Sequence, residues 1–340
     1  MAAPKSFLCA NCGAKVLTDL HTCMKCYYAP KYKDGESVDV YCDQVCQQGH
    51  LTSHQAHCQL RISRENLFRA AILMKATFMT FRECLYGRPL VEMKVYNGEL
   101  LLLMDPTVIF HPWYYPFPDD VTTDPKHKEA ALSLQNCNAA ANICGGLAKR
   151  LLEGTATKME LVCVDANPRM RARILLRYSD PDKPAKKYPL HTVVVVYIEE
   201  EKWVIDVTGS QFGFTDLVCP FDKYLKDWEG HVATGPYAYP VDELDDIERR
   251  HFPRITPAAE RTDDFFAHRA HEEAGRRHLK KLVEKRFSNP ENPTFAADLL
   301  ARTEKAFQDG LDEWTAEVKR HMMGFVQRMT GVYHPDEGQD

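Results

Sequence analysis

Eight residues near the start of the chain have the types and the spacing of metal ligands. They come in four pairs: Cys9-x2-Cys12, Cys23-x2-Cys26, Cys42-x3-Cys46 and His54-x3-Cys58. A C-x2-C pair turns tightly enough for both sulfurs to reach one ion, and a pair spaced i, i+4 lies on one face of a helix. Because each pair supplies half of a tetrahedral site, the four pairs predict two structural zinc ions (Zn2+) with four protein ligands each.

The second half of this segment contains more candidate ligands than one helix can direct at one ion. Cys42, Cys46, His50, His54 and Cys58 recur every four residues. We therefore expect a break at Gly49, with one ligand pair before it and one after it. On this interpretation His50 and His57 are surface or packing residues.

Residues 9–58 resemble the MYND zinc-finger family, on the ligand pairs and on the dipeptides Tyr41-Cys42 and Cys46-Gln47. The resemblance implies two interleaved sites, one formed by Cys9, Cys12, Cys42 and Cys46 and the other by Cys23, Cys26, His54 and Cys58. It also implies binding to other proteins through short proline-containing peptides. Since the family usually has Trp at the position of Leu51, the peptide-binding face is expected to differ from that of its relatives.

A second set of reactive side chains lies between residues 137 and 208. His191 begins one predicted strand, and Asp206 lies on the next, which starts at Lys202. If these strands form a hairpin, opposed residues have Cβ atoms about 5 Å apart, and Asp206 orients the His191 ring. A thiol at a helix N-terminus, where the dipole lowers its pKa, would complete a Cys-His-Asp triad.

The pattern H-x5-Y-x5-W-x2-D-x-T, from His191 to Thr208, resembles the transglutaminase-like branch of the papain-like fold. The resemblance implies attack of a cysteine on an amide carbonyl. Cys137 and Cys144 are both candidate nucleophiles, and because they lie about 10 Å apart along a helix, only one can reach His191. Cys137 is favoured because it leaves a helix of the usual length before the next strand, whereas Cys144 is followed by glycines that would admit a substrate to the backbone.

The two cysteines also permit an interpretation without catalysis. Cys137 and Cys144 fall on one apolar helical stripe, where each would be a small buried residue. One hypothesis is therefore a zinc-binding protein that mediates protein–protein interaction and carries an enzyme-like second domain. The alternative is a cysteine hydrolase or transamidase with Cys137 or Cys144 as nucleophile.

The surrounding sequence predicts the elements that position both sets. A helix is expected from Ser63 to Tyr86, a hairpin around Asn97-Gly98, and a helix of about 25 residues that ends near Glu153. Charged helices follow residue 240. Together with the two resemblances, these elements predict an α+β fold with three parts: a MYND-type zinc finger over 1–60, a domain over 61–240 with an antiparallel sheet that resembles the transglutaminase-like fold, and a helical region over 241–340.

Composition narrows the function classes further. The net charge of −5 creates no field that favours nucleic acid, and the basic run from Arg276 to Lys281 is interpreted as a solvated helix face. Seven of the 12 cysteines lie between Cys9 and Cys58, which favours metal binding over a disulfide framework. The apolar runs are too short to cross a bilayer. We expect an intracellular protein, cytoplasmic or nuclear, with protein partners and no membrane partner.

Overall fold

The computed structural model describes residues 7–17, 20–105, 107, 116–182, 190–240, 263–290, 292 and 294–331. The boundary predicted after residue 240 adjoins residues 241–262, which lie outside the described residues.

The N-terminal part contains short elements with very little apolar core. Its elements are β1 (Phe7–Leu8), β2 (Lys15–Val16), β3 (His21–Thr22), α1 (Met24–Tyr27), β4 (Val40–Tyr41) and α2 (Gln44–Gly49). Strands β1 and β2 form one antiparallel pair, and β3 and β4 form another. The buried residues of this part that cluster together are Cys9, Val16 and Tyr41. A core of this size cannot fold such a segment by itself, so its stability must come from elsewhere.

Helix α3 (Leu51–Cys84) joins the N-terminal part to the rest of the chain. Its 34 residues make it about 50 Å long, and it begins earlier than the sequence predicts. The chain breaks at His50, between α2 and α3, next to the predicted position at Gly49. The start of α3 carries two of the candidate ligands, whereas Leu67, Phe78 and Phe81 are buried in the main core. One helix therefore belongs to both parts.

The central part consists of two sheets and short helices. In chain order its elements are β5 (Leu90–Tyr96), β6 (Glu99–Met104), α4 (Pro125–Ser133), α5 (Cys137–Leu151), β7 (Lys158–Asp165), β8 (Arg171–Leu176), β9 (His191–Ile198), β10 (Glu201–Ile205), a 3-10 turn (Gly209–Phe212), β11 (Val218–Pro220), α6 (Phe221–Asp227) and β12 (His231–Ala238). The hairpin predicted around Asn97-Gly98 is present, and both turn residues have positive φ, at 49° and 78°.

The larger sheet has the order β11-β10-β9-β7-β12, and every neighbouring pair is antiparallel. Strand β9 is buried on both faces: Val194 and Val196 pack toward the helices, and Val193 and Val195 pack toward Phe212 and Phe214. The smaller sheet has the order β5-β6-β8, and its β6–β8 pair is parallel. The predicted mixture of helices and antiparallel sheet is thus observed, with one parallel pair added.

The C-terminal helices complete the core of the central part. They are α7 (Asp263–Phe287), α8 (Phe295–Leu300) and α9 (Glu304–Thr330). The Trp314 indole N–H on α9 donates to the Thr77 hydroxyl on α3 at 2.7 Å, in a buried contact. Arg276 is buried and paired with Glu272 at 2.8 Å, so the basic run is not entirely a solvated face. Within the described part of the chain, no helix combines the length and apolarity needed to cross a membrane.

Arg64 connects the N-terminal part to the larger sheet. Its buried guanidinium, on α3, donates to both carboxylate oxygens of Glu36, at 2.9 and 2.8 Å. On the other side it pairs with Glu201, the first residue of β10, through an Nε donor at 2.8 Å. Tyr32 packs on Trp203 beside this pair, with ring centroids 5.3 Å apart. The N-terminal part therefore contacts the same β9–β10 hairpin that carries His191 and precedes Asp206.

Candidate functional site

Two groups of four candidate ligands lie in the N-terminal part. One consists of Cys9, Cys12, Cys42 and Cys46, and the other of Cys23, Cys26, His54 and Cys58. Within each group the ligand atoms all lie within 4.8 Å of one another. This is the interleaved grouping that the resemblance implies. Each group could hold a metal ion.

The distances within the groups fit tetrahedral zinc better than they fit disulfides. The Cys12 and Cys42 sulfurs are 3.7 Å apart, as are those of Cys23 and Cys58. With Zn–S bonds of about 2.3 Å, the edge of a tetrahedron is about 3.8 Å, whereas a disulfide bond is about 2.0 Å long. All four cysteines are free thiols. The donor sets, four sulfurs in one group and three sulfurs with one imidazole in the other, are typical of structural zinc.

The imidazole of His54 is held by a second residue. Its Nε2 lies 3.3 Å from the Cys26 sulfur, inside the ligand group, and its Nδ1 lies 2.8 Å from an Asp39 carboxylate oxygen. A carboxylate at Nδ1 fixes the tautomer that leaves Nε2 free for a metal. His50 is engaged elsewhere, since its Nδ1 lies 3.2 Å from the Tyr41 hydroxyl. Sequence reasoning missed Asp39 because it belongs to no ligand pair.

Cys137 is the first residue of α5, and the predicted long helix is in fact two helices. Helix α4 ends at Ser133, and Gln135 has a left-handed φ of 62° that interrupts the helix. The Gln135 N–H donates to the side-chain oxygen of Gln211 at 2.9 Å, and the Gln211 amide donates to the Thr208 carbonyl at 3.1 Å. Gln211 thereby ties the turn before Cys137 to the loop after Asp206.

His191 and Asp206 are in direct contact, as the hairpin interpretation expects. Strand β9 pairs with β10 so that Val194 faces Ile205, and Asp206 follows β10 directly. The His191 Nε2 donates to Asp206 Oδ2 at 2.8 Å, and both side chains are buried. Phe212 packs edge-on against the imidazole, with ring centroids 4.7 Å apart. The ring is thus fixed in position and in tautomer.

The His191 imidazole interacts with the Cys137 thiol, and Nδ1 is the ring nitrogen that Asp206 leaves free. Within the described residues, Nδ1 has no conventional hydrogen-bond partner, and the Cys137 sulfur lies 4.0 Å from the carbonyl oxygen of Leu190, the residue before His191. Burial by itself raises the pKa of Cys137, but the interactions with His191 and with the Thr192 N–H outweigh it and lower that pKa below its ordinary value. Cys137 is half-buried.

The pKa of His191 moves in the opposite direction. Burial disfavours the charged ring, but the charge of Asp206 and its hydrogen bond prevail, with a further contribution from Cys137, and raise the pKa to about 10. A lowered thiol pKa beside a raised imidazole pKa favours the thiolate–imidazolium pair at neutral pH. Such a pair is a ready nucleophile with a proton donor beside it.

Cys144 lies in a different environment from Cys137. It is fully buried two turns further along α5, and its thiol donates to the Met74 carbonyl at 3.4 Å. Burial raises the pKa of this thiol to about 12. The geometry therefore groups Cys137 with His191 and Asp206, and it gives Cys144 the surroundings of a packing residue.

The space around Cys137 limits how a substrate could approach. A mostly apolar cavity of about 10 Å³ adjoins Cys137, and Met74, Ala140, Ile205 and Tyr239 are among the residues that line it. That volume holds at most about one water molecule. This cavity is therefore too small to hold a substrate.

Two further residues belong to this site and were not predicted from the sequence. Tyr224 and Gln211 both contact the segment around Asp206, from α6 and from the 3-10 turn. Neither falls within the pattern that ends at Thr208.

Comparison of the chain with protein-family models, with curated proteins and with solved structures finds no match.

Proposed function

We propose that the central part is a cysteine hydrolase or transamidase in which Cys137, His191 and Asp206 form the triad. One observation carries the proposal: the thiol of a half-buried cysteine at a helix N-terminus lies beside a buried imidazole whose Nε2 is held by a buried carboxylate. The thiol, imidazole and carboxylate have the roles that triad chemistry requires. The resemblance to the transglutaminase-like fold supports the choice of an amide substrate.

The residues would act in two steps. The Cys137 thiolate attacks the carbonyl carbon of an amide, so that a C–S bond forms and the carbonyl electron pair moves to oxygen. The C–N bond then breaks, and protonated His191 gives its proton to the leaving nitrogen. Water or an amine, deprotonated by His191, attacks the resulting thioester and displaces Cys137, which releases an acid or a new amide.

Backbone groups in the first turn of α5 would stabilise the developing negative charge. The first N–H groups of a helix have no carbonyl partner within the helix, and the dipole there favours anions. Asp206 keeps the His191 ring in the tautomer that presents Nδ1 to the sulfur, and it stabilises the imidazolium.

The test is capture of an acyl-enzyme with p-nitrophenyl acetate as the probe. Intact mass analysis is expected to show one acetyl group added within seconds, and peptide analysis is expected to place it on Cys137. Cys137→Ala should abolish the fast addition, while Cys144→Ala, which removes the other sulfur of the same helix, should retain it. Equal acetylation of the two single variants would contradict the proposal.

We also propose that the N-terminal part binds other proteins through short proline-containing peptides, as the MYND resemblance implies. The supporting observation is a set of exposed apolar side chains on its surface: Leu17, Leu20, Met24, Tyr27, Tyr28 and Leu51. A groove of about 600 Å³ runs between Met24, Leu51 and Ile62 beside the second ligand group. Met24 and Leu51 line the same groove, and contiguous apolar exposure is typical of interaction surfaces.

A matched pair of variants tests this second proposal. Met24 and Val95 are both 59% exposed, but Val95 lies on β5, outside the N-terminal part. Met24→Asp is expected to weaken the capture of proline-containing peptides from an array at least tenfold, because it places a charge in an apolar contact worth about 1.4 kcal/mol or more. Val95→Asp should leave capture unchanged. Equal capture by both variants, or none by the unmodified chain, would refute the proposal.

A further inference from the structure

The Asp206 carboxylate accepts more hydrogen bonds than the one from the imidazole that a triad requires. Its Oδ2 accepts from His191 Nε2 at 2.8 Å and from the Tyr224 hydroxyl, also at 2.8 Å. Its Oδ1 accepts from the Thr208 N–H at 3.1 Å. One carboxylate oxygen is therefore shared between the imidazole and a phenol, and all of these groups are buried.

Tyr224 reaches Asp206 from an element outside the hairpin. It lies on α6, which packs against β10, and its ring contacts Phe214 edge-on at a centroid distance of 6.0 Å. Phe214 in turn stacks on Trp228 at 3.6 Å. Burial, followed by the negative charge of Asp206, raises the pKa of Tyr224 well above its ordinary value, so the phenol stays protonated and donates.

We propose that Tyr224 is a positioning residue that tunes the triad, by fixing the Asp206 carboxylate and by drawing part of its negative charge away from His191. The inference rests on the proposed triad. A hydrogen bond from a neutral donor stabilises a carboxylate and weakens its pull on a second proton. Tyr224 thereby keeps the imidazolium of His191 acidic enough to give up its proton to a leaving group.

The other titratable groups around Tyr224 and Asp206 come from three elements. They are Cys137 on α5 and Cys219 on β11, in addition to His191 on β9. Burial and the nearby charge of Asp216 raise the pKa of Cys219 to about 12, so this thiol stays neutral where the triad titrates. A substitution of Tyr224 should therefore change the pKa values of His191 and Cys137.

The experiment measures the rate of Cys137 alkylation by iodoacetamide as a function of pH. In Tyr224→Phe the carboxylate keeps more charge, so the His191 pKa should rise and the Cys137 midpoint should fall by about half a pH unit or more. The control is Tyr197→Phe: Tyr197 lies on the same strand as His191, and its hydroxyl donates to Glu160 at 2.8 Å. Its midpoint should equal that of the unmodified chain.

A second substitution separates tuning from packing. Tyr224→3-fluorotyrosine keeps the ring in place and makes the phenol a stronger donor, so the midpoint should move upward. Midpoints that stay unchanged in both Tyr224 variants would overturn the inference and leave Tyr224 a purely structural residue. If instead the unmodified chain shows no lowered midpoint for Cys137, the proposed triad itself fails.

Discussion

Replacing His191 by Gln is expected to slow the alkylation of Cys137 by iodoacetamide roughly 10- to 100-fold at about pH 6. The thiolate is the reactive form, and the interaction with His191 is what lowers the pKa of Cys137 against the effect of burial. Without the imidazole, burial raises that pKa and the thiolate fraction falls. Part of the loss is offset because a more basic thiolate is the better nucleophile.

The control for this prediction is another histidine of the same sheet. His231 is exposed on β12 and pairs in register with Asp165 on β7, the strand that separates it from His191. His231→Gln should leave the alkylation rate unchanged, and thermal melting should show that both variants are folded. A His191→Gln variant that is folded and alkylated as fast as the unmodified chain would show that the two side chains are not coupled.

Removal of the metal is expected to unfold the N-terminal part. Its apolar core is confined to a few residues, and structural zinc supplies about 10–16 kcal/mol of apparent binding free energy in comparable sites at neutral pH. Metal analysis of the purified chain should find two zinc ions. Treatment with a strong chelator should abolish the protection of residues 7–58 against hydrogen exchange.

The effect should extend to the larger sheet through Arg64. When the N-terminal part unfolds, this buried guanidinium loses Glu36 and keeps only Glu201, at the start of β10. Because the guanidinium then has one carboxylate partner in place of two, the melting temperature of the central part should fall as well.

Two histidines of α3 provide the control. His54 belongs to a ligand group, whereas His57, three residues later, belongs to neither. His54→Gln should release one zinc ion, and His57→Gln should retain both. Retention of two ions by His54→Gln, or persistent protection of residues 7–58 in the metal-free chain, would contradict the zinc assignment.

The local signals of the sequence predicted the parts of the site that depend on spacing. The spacing within the four ligand pairs predicted eight candidate ligands and two sites, whereas the family resemblance supplied the interleaved grouping into two sets of four. The hairpin that brings His191 to Asp206 was predictable, because strand pairing follows from two adjacent apolar runs. The break near Gly49 was also predictable, since five residues spaced four apart on one straight helix cannot all reach a single metal ion.

What the sequence did not reveal depends on contacts between distant segments. Helix α5 starts at Cys137 because Gln211, more than 70 residues away, holds the turn at Gln135. The local sequence reads as one uninterrupted helix, since no Gly or Pro marks the break. Tyr224 and Asp39 were missed for the same reason: each acts through a partner in space and belongs to no motif. The C-terminal helices likewise contribute to the central core through contacts such as Trp314 with Thr77.

The most direct test of the triad is the pH dependence of Cys137 alkylation in the unmodified chain. The rate should be followed from about pH 5 to 9, with the cysteines of the denatured chain as reference at about 8.5. A lowered pKa means that the thiolate persists as the pH falls below this reference, so the account predicts a midpoint clearly below it, with Cys144 unreactive throughout. A midpoint for Cys137 at or above the reference value would contradict the account.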